Sequence, residues 1–464
     1  MAPKFGTSGL RGLVTELTET LVKDYTGAFL AACPHGGAVH VGRDLRPSSP
    51  QIAQWVMQAV EDAGIQVIDC GVLPTPALAL SSLGAGQAAV MVTGSHIPAD
   101  RNGLKFYVPS GEISKVDEAA ICAHLGRGLR GAHAPARQVR DAVAAYAQRY
   151  VQAYGPALQG MRIGVYQHSS VARDVMVDVL GALGAEPVAL ARSDTFIPVD
   201  TEALDPDTRA MLAGWCAEHG LDAVVSTDGD ADRPMVADAA GRVIPGDVLG
   251  ALTARALGAR VLCTPVSSNT MIAQMPEFDQ VTLTRIGSPF VIAAMEQVLA
   301  QDPAAKVVGY EANGGFLLGF QAQGPAGTLA PLLTRDCLLP VLAPLVAARQ
   351  AGLSLAALAD ALPQRFTAAD RIAGIETEVS KAFIAQISGD AAARAAFFAD
   401  LGQKEARVDE TDGLRVTFAG GDVVHLRPSG NAPEFRCYAE ADSAERALAL
   451  LTDTLTKLRD RLAG

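Results

Sequence analysis

The feature that most constrains this chain is a phrase that occurs twice: a short apolar run, a polar loop, an amphipathic stretch and a second apolar run. Ala38-Val39-His40-Val41 reads as a buried strand. The loop Gly42-Arg43-Asp44-Leu45-Arg46-Pro47-Ser48 follows, and Ser48 or Ser49 is placed to N-cap a helix with Pro50 in its first turn. That helix is predicted to run to about Ala63, stop at Gly64 and lead into Ile65-Gln66-Val67-Ile68. The second copy opens at Arg162-Ile163-Gly164-Val165-Tyr166, continues as a helix over 171–183, stops at Gly184 and ends in Pro187-Val188-Ala189-Leu190. Each phrase is a βαβ unit, which demands a parallel sheet covered by helices. Further β runs are predicted at Ala88–Val92, 223–225, 260–263 and 306–309. The C-terminal part differs: short strands at Leu414–Phe418, 423–426 and 435–439 precede a helix over 443–462, a smaller α+β unit.

With 464 residues, the chain has room for three or four domains of ~100–200 residues. A hydrophobic fraction of 49% against 19% charged residues excludes a disordered or fibrous chain. Thirty-eight basic and 50 acidic residues leave a net charge of −12, which argues against nucleic acid or an anionic membrane as the partner. A few local arginines still suffice for a small anionic substrate. The seven cysteines form no CxxC pair, which fits a reducing compartment. The N-terminus shows no apolar signal region. Residues 70–99 lack Asp, Glu, Lys and Arg, but Pro74, Pro76, Gly84 and Gly86 break them into buried elements with turns. The expectation is a soluble, cytoplasmic protein, and nothing in the sequence assigns an oligomeric state.

Five loops carry candidate chemistry. Thr93-Gly94-Ser95-His96-Ile97-Pro98 leaves a β run, so Ser95 is expected at a strand's carboxyl end, where α/β sheets bind ligands. An ordinary turn is the alternative. A Ser95–His96 hydrolase pair is disfavoured, because neighbours in extended backbone point opposite ways and no GxSxG elbow is present. Asp228-Gly229-Asp230-Ala231-Asp232-Arg233 sets three carboxylates at alternate positions, able to converge on one hard cation. An EF-hand fails, since Arg233 and Ala239 stand where it needs Gly and a bidentate acid. The all-oxygen set suggests Mg²⁺ rather than zinc. Tyr310-Glu311-Ala312-Asn313-Gly314-Gly315 offers a carboxylate and an amide to vicinal hydroxyls, or is a plain strand-to-turn segment. Arg427-Pro428-Ser429-Gly430-Asn431 has the makings of an anion nest, or is a polar hairpin loop. Phe5-Gly6-Thr7-Ser8-Gly9-Leu10-Arg11 can wrap an anion or be a flexible end. A literal GxGxxG at 126–131 follows a helix-like stretch rather than a strand, and no nucleotide P-loop occurs.

In their order along the chain these loops resemble the hallmarks of the α-D-phosphohexomutase superfamily, the phosphomannomutase/phosphoglucomutase enzymes. The resemblance covers nearly the whole chain and is most specific at Asp228–Arg233 and around Ser95. It implies three similar α/β domains with mixed, largely parallel sheets plus a smaller C-terminal α+β domain, around a central cleft. The domains are expected at 1–150 (phosphoserine loop), 151–254 (metal loop), 255–367 (sugar loop) and 368–464 (phosphate loop). Ser95 is implied as the phosphoserine, with Mg²⁺ held by Asp228, Asp230, Asp232 and a phosphoserine oxygen. Arg233 is implied to steady that phosphate. His96 belongs to the serine motif, and Lys105 and Arg11 match positions of proton transfer and phosphate handling. Glu311 and Asn313 match sugar ligands. Arg427, Ser429, Gly430 and Asn431 match the site of the idle phosphate.

The chain departs from the family pattern at Ile97, Asn313, Gly315 and Asn431, and in Gln167-His168-Ser169-Ser170. The implied reaction interconverts hexose 6-phosphate and hexose 1-phosphate through a hexose 1,6-bisphosphate, which also serves as activator. Mannose phosphate is the favoured substrate, with glucose and glucosamine phosphates as alternatives. A phosphosugar phosphatase and a non-catalytic phosphosugar-binding protein are the rival readings. A hinge is expected near 366–371, letting the last domain close.

Overall fold

The computed structural model describes residues 3–6, 9–129, 131, 133–401, 404–429 and 434–462. The first repeated phrase becomes the parallel core of an eight-stranded sheet. Ala38–Arg43 lies between Gln66–Val72 and Ala88–Val92, parallel to both. Arg101–Val108 then pairs antiparallel with Ala88–Val92, and Leu10–Leu13 adds on beyond it. The second phrase gives Arg162–His168 parallel to Glu186–Arg192 and to Ala223–Thr227, with Pro234–Asp238 returning antiparallel. A third sheet runs Gln280–Thr284, Val261–Pro265, Val307–Tyr310, Phe316–Leu318, Leu332–Asp336. The fourth is antiparallel throughout, in the order Phe366–Ala373, Glu434–Ala441, Val423–Pro428, Leu414–Phe418, Glu405–Asp409, with the helix Ala444–Leu462 packed on it. Three α/β units and a smaller α+β unit result.

Two local expectations are corrected, the helix cap and the hinge, and the expected junctions are located. The helix at Ser49–Asp62 forms, but no hydroxyl caps it: Ser48 Oγ accepts from Asn102 and Ser49 Oγ donates to Asp44. The expected hinge at 366–371 is strand, paired residue for residue with Glu434–Ala441, so bending there would break a ladder. The junctions expected at 150/151, 254/255 and 367/368 all fall inside elements: the helices Val143–Tyr154 and Gly246–Ala256 and the strand Phe366–Ala373.

Burial explains how the units hold together. One apolar cluster runs through the first three, from Ile68 and Tyr107 through Val165 and Val225 to Leu262, Phe316 and Leu342. The fourth has its own core, around Val416, Val424, Phe435 and Leu455. It meets the third through polar contacts: Arg365 Nε to Glu440 Oε1 (2.8 Å), Thr270 N to Glu440 Oε2 (3.0 Å) and Ile286 N to Asp412 Oδ2 (3.0 Å). Such an interface suits relative motion better than a shared core does. The uncharged 70–99 segment folds as the helix Thr75–Gly84 and the buried strand Ala88–Val92. Among the described residues no helix is long and apolar enough to cross a membrane. All seven cysteines are free.

Candidate active site

The wholly buried strand Ala88–Val92 delivers the chain into the serine loop. Thr93 Oγ1 donates to Asp44 Oδ2 (2.8 Å) and accepts from Ser95 N–H (2.8 Å). Ser95 adopts φ +55°, a left-handed conformation uncommon outside glycine. The backbone at 95–96 is therefore not extended, and the expectation that Ser95 and His96 diverge is wrong: Ser95 Oγ lies 3.3 Å from His96 Nδ1. On its other side Oγ donates to Asp228 Oδ2 at 2.5 Å. Burial first, then Arg233 and Arg11, hold the His96 pKa far below its ordinary value, so its imidazole is neutral.

Asp228, Asp230 and Asp232 hang from the turn between the buried strands Ala223–Thr227 and Pro234–Asp238. All three are at most 1% exposed, and one oxygen of each lies within 4.8 Å of the others. Lys105 Nζ donates to Asp230 Oδ2 (2.6 Å) and Asp232 Oδ2 (2.5 Å), and Thr75 Oγ1 donates to Asp230 Oδ2 (2.7 Å). Arg335 Nη2 sits 2.7 Å from Asp232 Oδ2. Arg233 Nε is 3.9 Å from Asp228 Oδ2 and 3.8 Å from Asp232 Oδ1. Burial, then Asp230 and Asp232, push the Asp228 pKa well up. For Asp232 burial opposes ionisation, but Arg335, Lys105 and Arg233 overcome it and hold the pKa below the usual range. Asp230 Oδ1 and Asp232 Oδ1 are buried without a hydrogen-bond partner. Buried carboxylates with unpaired oxygens and an all-oxygen donor set fit a hard divalent cation.

Arg11, on the strand Leu10–Leu13, joins this cluster from the first unit. Burial, then Arg233 and Arg335, pull its pKa down to about 10, which leaves it charged at neutral pH. Cations crowded this closely make a strong site for a polyanion such as phosphate. Glu311 and Asn313, from the third unit, follow the strand Val307–Tyr310. Arg335 Nη1 pairs with Glu311 Oε2 (3.0 Å). Asn313 Oδ1 accepts from Gly315 N–H (2.9 Å), so its amide nitrogen is the end left for a ligand.

The fourth unit brings a separate cleft of about 760 Å³, lined by Lys4, Lys381 and Arg427, by Glu378, Glu410 and Asp412, and by Thr377 and Ser429 among others. Arg427 Nε lies 2.8 Å from Asp412 Oδ2, and Ser429 N–H donates to Glu434 O (2.9 Å). The expected nest members Gly430 and Asn431 lie outside the described residues. Arg427 shares its hairpin with Arg436, its cross-strand partner, and Lys4 and Lys381 reach the same cleft from elsewhere.

Sequence reasoning missed Thr75 and Arg335. Arg335-Asp336 did carry a signal, a charged pair set in the apolar stretch 329–348. Thr75 carried none, being one threonine at the start of an apolar helix.

A buried serine beside three clustered carboxylates, with Lys105, Arg233 and Arg335 paired to them, is an arrangement able to hold a divalent cation and a phosphate, as phosphoryl-transfer enzymes do. Family models bear on every unit: "Phosphoglucomutase/phosphomannomutase, alpha/beta/alpha domain I" matches residues 2–129, domain II 144–241, domain III 245–366 and the C-terminal domain 375–457. The chain belongs to the phosphoglucomutase/phosphomannomutase family. It is 44% identical to a phosphomannomutase of Sinorhizobium fredii (strain NBRC 101917 / NGR234), covering 100% of both chains. It is 41% identical to a phosphomannomutase of Salmonella muenchen, covering 99% of this chain and 96% of the relative. A phosphoglucosamine mutase of Thermobifida fusca is 29% identical over 100% of this chain and 99% of its own. The fold matches a phosphoglucomutase/phosphomannomutase family protein of Burkholderia thailandensis with TM-score 0.76 at 20% identity, covering 98% and 96% of the two chains.

Proposed function

We propose that the chain is a phosphomannomutase-type isomerase that interconverts hexose 6-phosphate and hexose 1-phosphate. The observation that carries this reading is Ser95 Oγ, buried 2.5 Å from an Asp triad and ringed by Lys105, Arg11, Arg233 and Arg335. Ser95 carries the phosphoryl group. Asp228, Asp230, Asp232 and a phosphoserine oxygen would hold Mg²⁺, which would supply neutralisation of charge on that group.

The protein's own groups do the rest. Arg233 and Arg11 steady the phosphate, and Glu311 with the Asn313 amide orients the ring by its hydroxyls. As the sugar hydroxyl attacks, an O–P bond forms to the sugar, the Oγ–P bond breaks, and the proton that the hydroxyl gives up is balanced by the one that Oγ takes up. Neutral His96, 3.3 Å from Oγ, is placed to exchange that proton, and Lys105, 2.6 Å from Asp230 Oδ2, adds positive charge beside it. The intermediate is a hexose 1,6-bisphosphate, which also charges idle enzyme. Its turning in the cleft exchanges which phosphate faces Ser95 and which rests on the Arg427 cleft. The two phosphomannomutase relatives, at 44% and 41%, stand well above the phosphoglucosamine mutase at 29% and support mannose phosphate as substrate. Free cysteines throughout support a reducing, cytoplasmic location.

The test is a coupled assay of mannose, glucose and glucosamine 1-phosphates with catalytic hexose 1,6-bisphosphate. Mannose 1-phosphate is expected to give the highest kcat/KM. Preference for glucosamine phosphate overturns the substrate assignment. Steady release of inorganic phosphate in place of isomerisation overturns the mutase.

A further inference from the structure

The loop that precedes the helix Ser49–Asp62 carries Arg46, which is only 1% exposed. A buried guanidinium must find acceptors for a fork of donors. This one finds them almost entirely on the serine loop. Nη2 donates to Ser95 O (2.8 Å) and Ile97 O (2.6 Å), and Nη1 to Pro98 O (2.6 Å) and Arg101 O (3.0 Å). Nε donates to Asp44 Oδ2 at 3.1 Å, the carboxylate oxygen that also receives Thr93 Oγ1. One Asp–Arg pair thus grips the chain on both sides of Ser95: through Thr93 at its N–H and through Arg46 at its carbonyl. The approach is so close that a Cβ at residue 94 would lie 2.5 Å from Arg46 Cζ, which is why Gly stands there.

The guanidinium also has a second contact, in another unit. Its Cζ lies 4.1 Å from the Phe196 ring centroid. Phe196 in turn lies against the metal loop: a Cβ at Gly229 would meet the Phe196 ring at 3.1 Å and Ser95 O at 2.8 Å. Arg46, Phe196 and Gly229 therefore form a stack from the serine loop of the first unit to the Asp loop of the second. The direct Ser95–Asp228 hydrogen bond spans the same joint.

We propose that Arg46 is a positioning residue for phosphoryl transfer, one that sets the left-handed Ser95 and, through Phe196, seats it against the Asp triad. The inference rests on Ser95 being the phosphoryl carrier. Lysine cannot replace Arg46, because an ammonium lacks the planar fork that spans four carbonyls and the flat face that stacks on an aromatic ring.

The experiment compares Arg46→Lys, Phe196→Leu, Phe196→Tyr and Ser95→Ala in the full chain, by steady-state kinetics, thermal unfolding and the rate of phosphorylation by hexose 1,6-bisphosphate. For Arg46→Lys, kcat is expected to fall about ten- to a hundredfold, the scale of an ångström-level misplacement. KM for mannose 1-phosphate is expected to stay within about threefold, because the sugar and idle-phosphate loops lie on other units. Phe196→Leu should lower kcat by roughly three- to tenfold, and Phe196→Tyr, which keeps the ring, should restore it. A folded Arg46→Lys enzyme with wild-type kcat, or with only KM changed, overturns the proposal. Should Arg46→Lys fail to fold, the Phe196 pair decides: equal kcat in the Leu and Tyr variants overturns it, and a gap between them supports it. Ser95→Ala separates the two readings, since full turnover there removes the phosphoserine itself, whatever Arg46 does.

Discussion

At the scale of single residues, the chemistry concentrates where charge is buried against charge. Three carboxylates at most 1% exposed are offset by Lys105, Arg233 and Arg335, which hold one oxygen of each while Asp230 Oδ1 and Asp232 Oδ1 are left without a hydrogen-bond partner. Thr75 is the neutral member of that set, donating to Asp230 Oδ2 at 2.7 Å. Thr75→Val keeps the shape and removes the donor. Removing a partner of this kind costs about ten- to a hundredfold in metal affinity. Calorimetric titration with Mg²⁺ should therefore show a shift of at least about tenfold, with the fold intact; an unchanged isotherm would make Thr75 a bystander. The Asp triad was legible in the sequence because its three members lie within five consecutive residues, on a strand-end loop. Thr75 and Arg335 were not, because their roles come from elements that sequence reading places far away.

At the scale of elements, the two βαβ phrases were legible because period and punctuation agree there: apolar runs, a polar loop and a glycine after each helix. Phe366–Ala373 was misread as a hinge. It is an edge strand with five of its eight residues exposed, so its alternation is weak and it carries Asp370 and Arg371. Two buried histidines tie strands to loops. His168 donates from Nε2 to Thr227 O behind the metal loop, and His425 donates to Asp412 O behind Arg427. Burial lowers both pKa values from 6.5 to about 4. The unfolded chain then binds the extra protons, so stability is full above pH ~6.5 and is lost as pH falls toward ~4. Each histidine contributes a loss of order ~3 kcal/mol across that window. Denaturant unfolding at a series of pH values should show the decline, and His425→Gln should make it shallower. A slope unaltered by that substitution would assign the acid sensitivity elsewhere.

At the scale of the whole molecule, one apolar cluster runs through three units, which also keep clusters of their own, while the fourth has a separate core and meets the third through ion pairs and hydrogen bonds. That division suits a reaction in which one phosphate reacts beside Ser95 while the other is held on a separately cored unit. A charged contact such as that of Arg427 with phosphate contributes roughly 1.5–3 kcal/mol. Arg427→Ala should thus raise KM for the hexose monophosphate by roughly ten- to a hundredfold, with Mg²⁺ binding and Ser95 phosphorylation surviving. An unchanged KM would place the idle phosphate away from Arg427. The four-part architecture was legible from the order of the loops. The sharing of Lys4 and Lys381 with Arg427 was not, since it depends on how distant segments meet. The most direct test of the whole mechanism is intact-mass analysis of the enzyme after hexose 1,6-bisphosphate, beside the turnover of Ser95→Ala. One phosphoryl group on wild type, located at Ser95, with none on a folded Ser95→Ala that has lost nearly all activity, is the predicted result. A folded Ser95→Ala enzyme that still takes up the phosphoryl group, or still turns over at the wild-type rate, would contradict it.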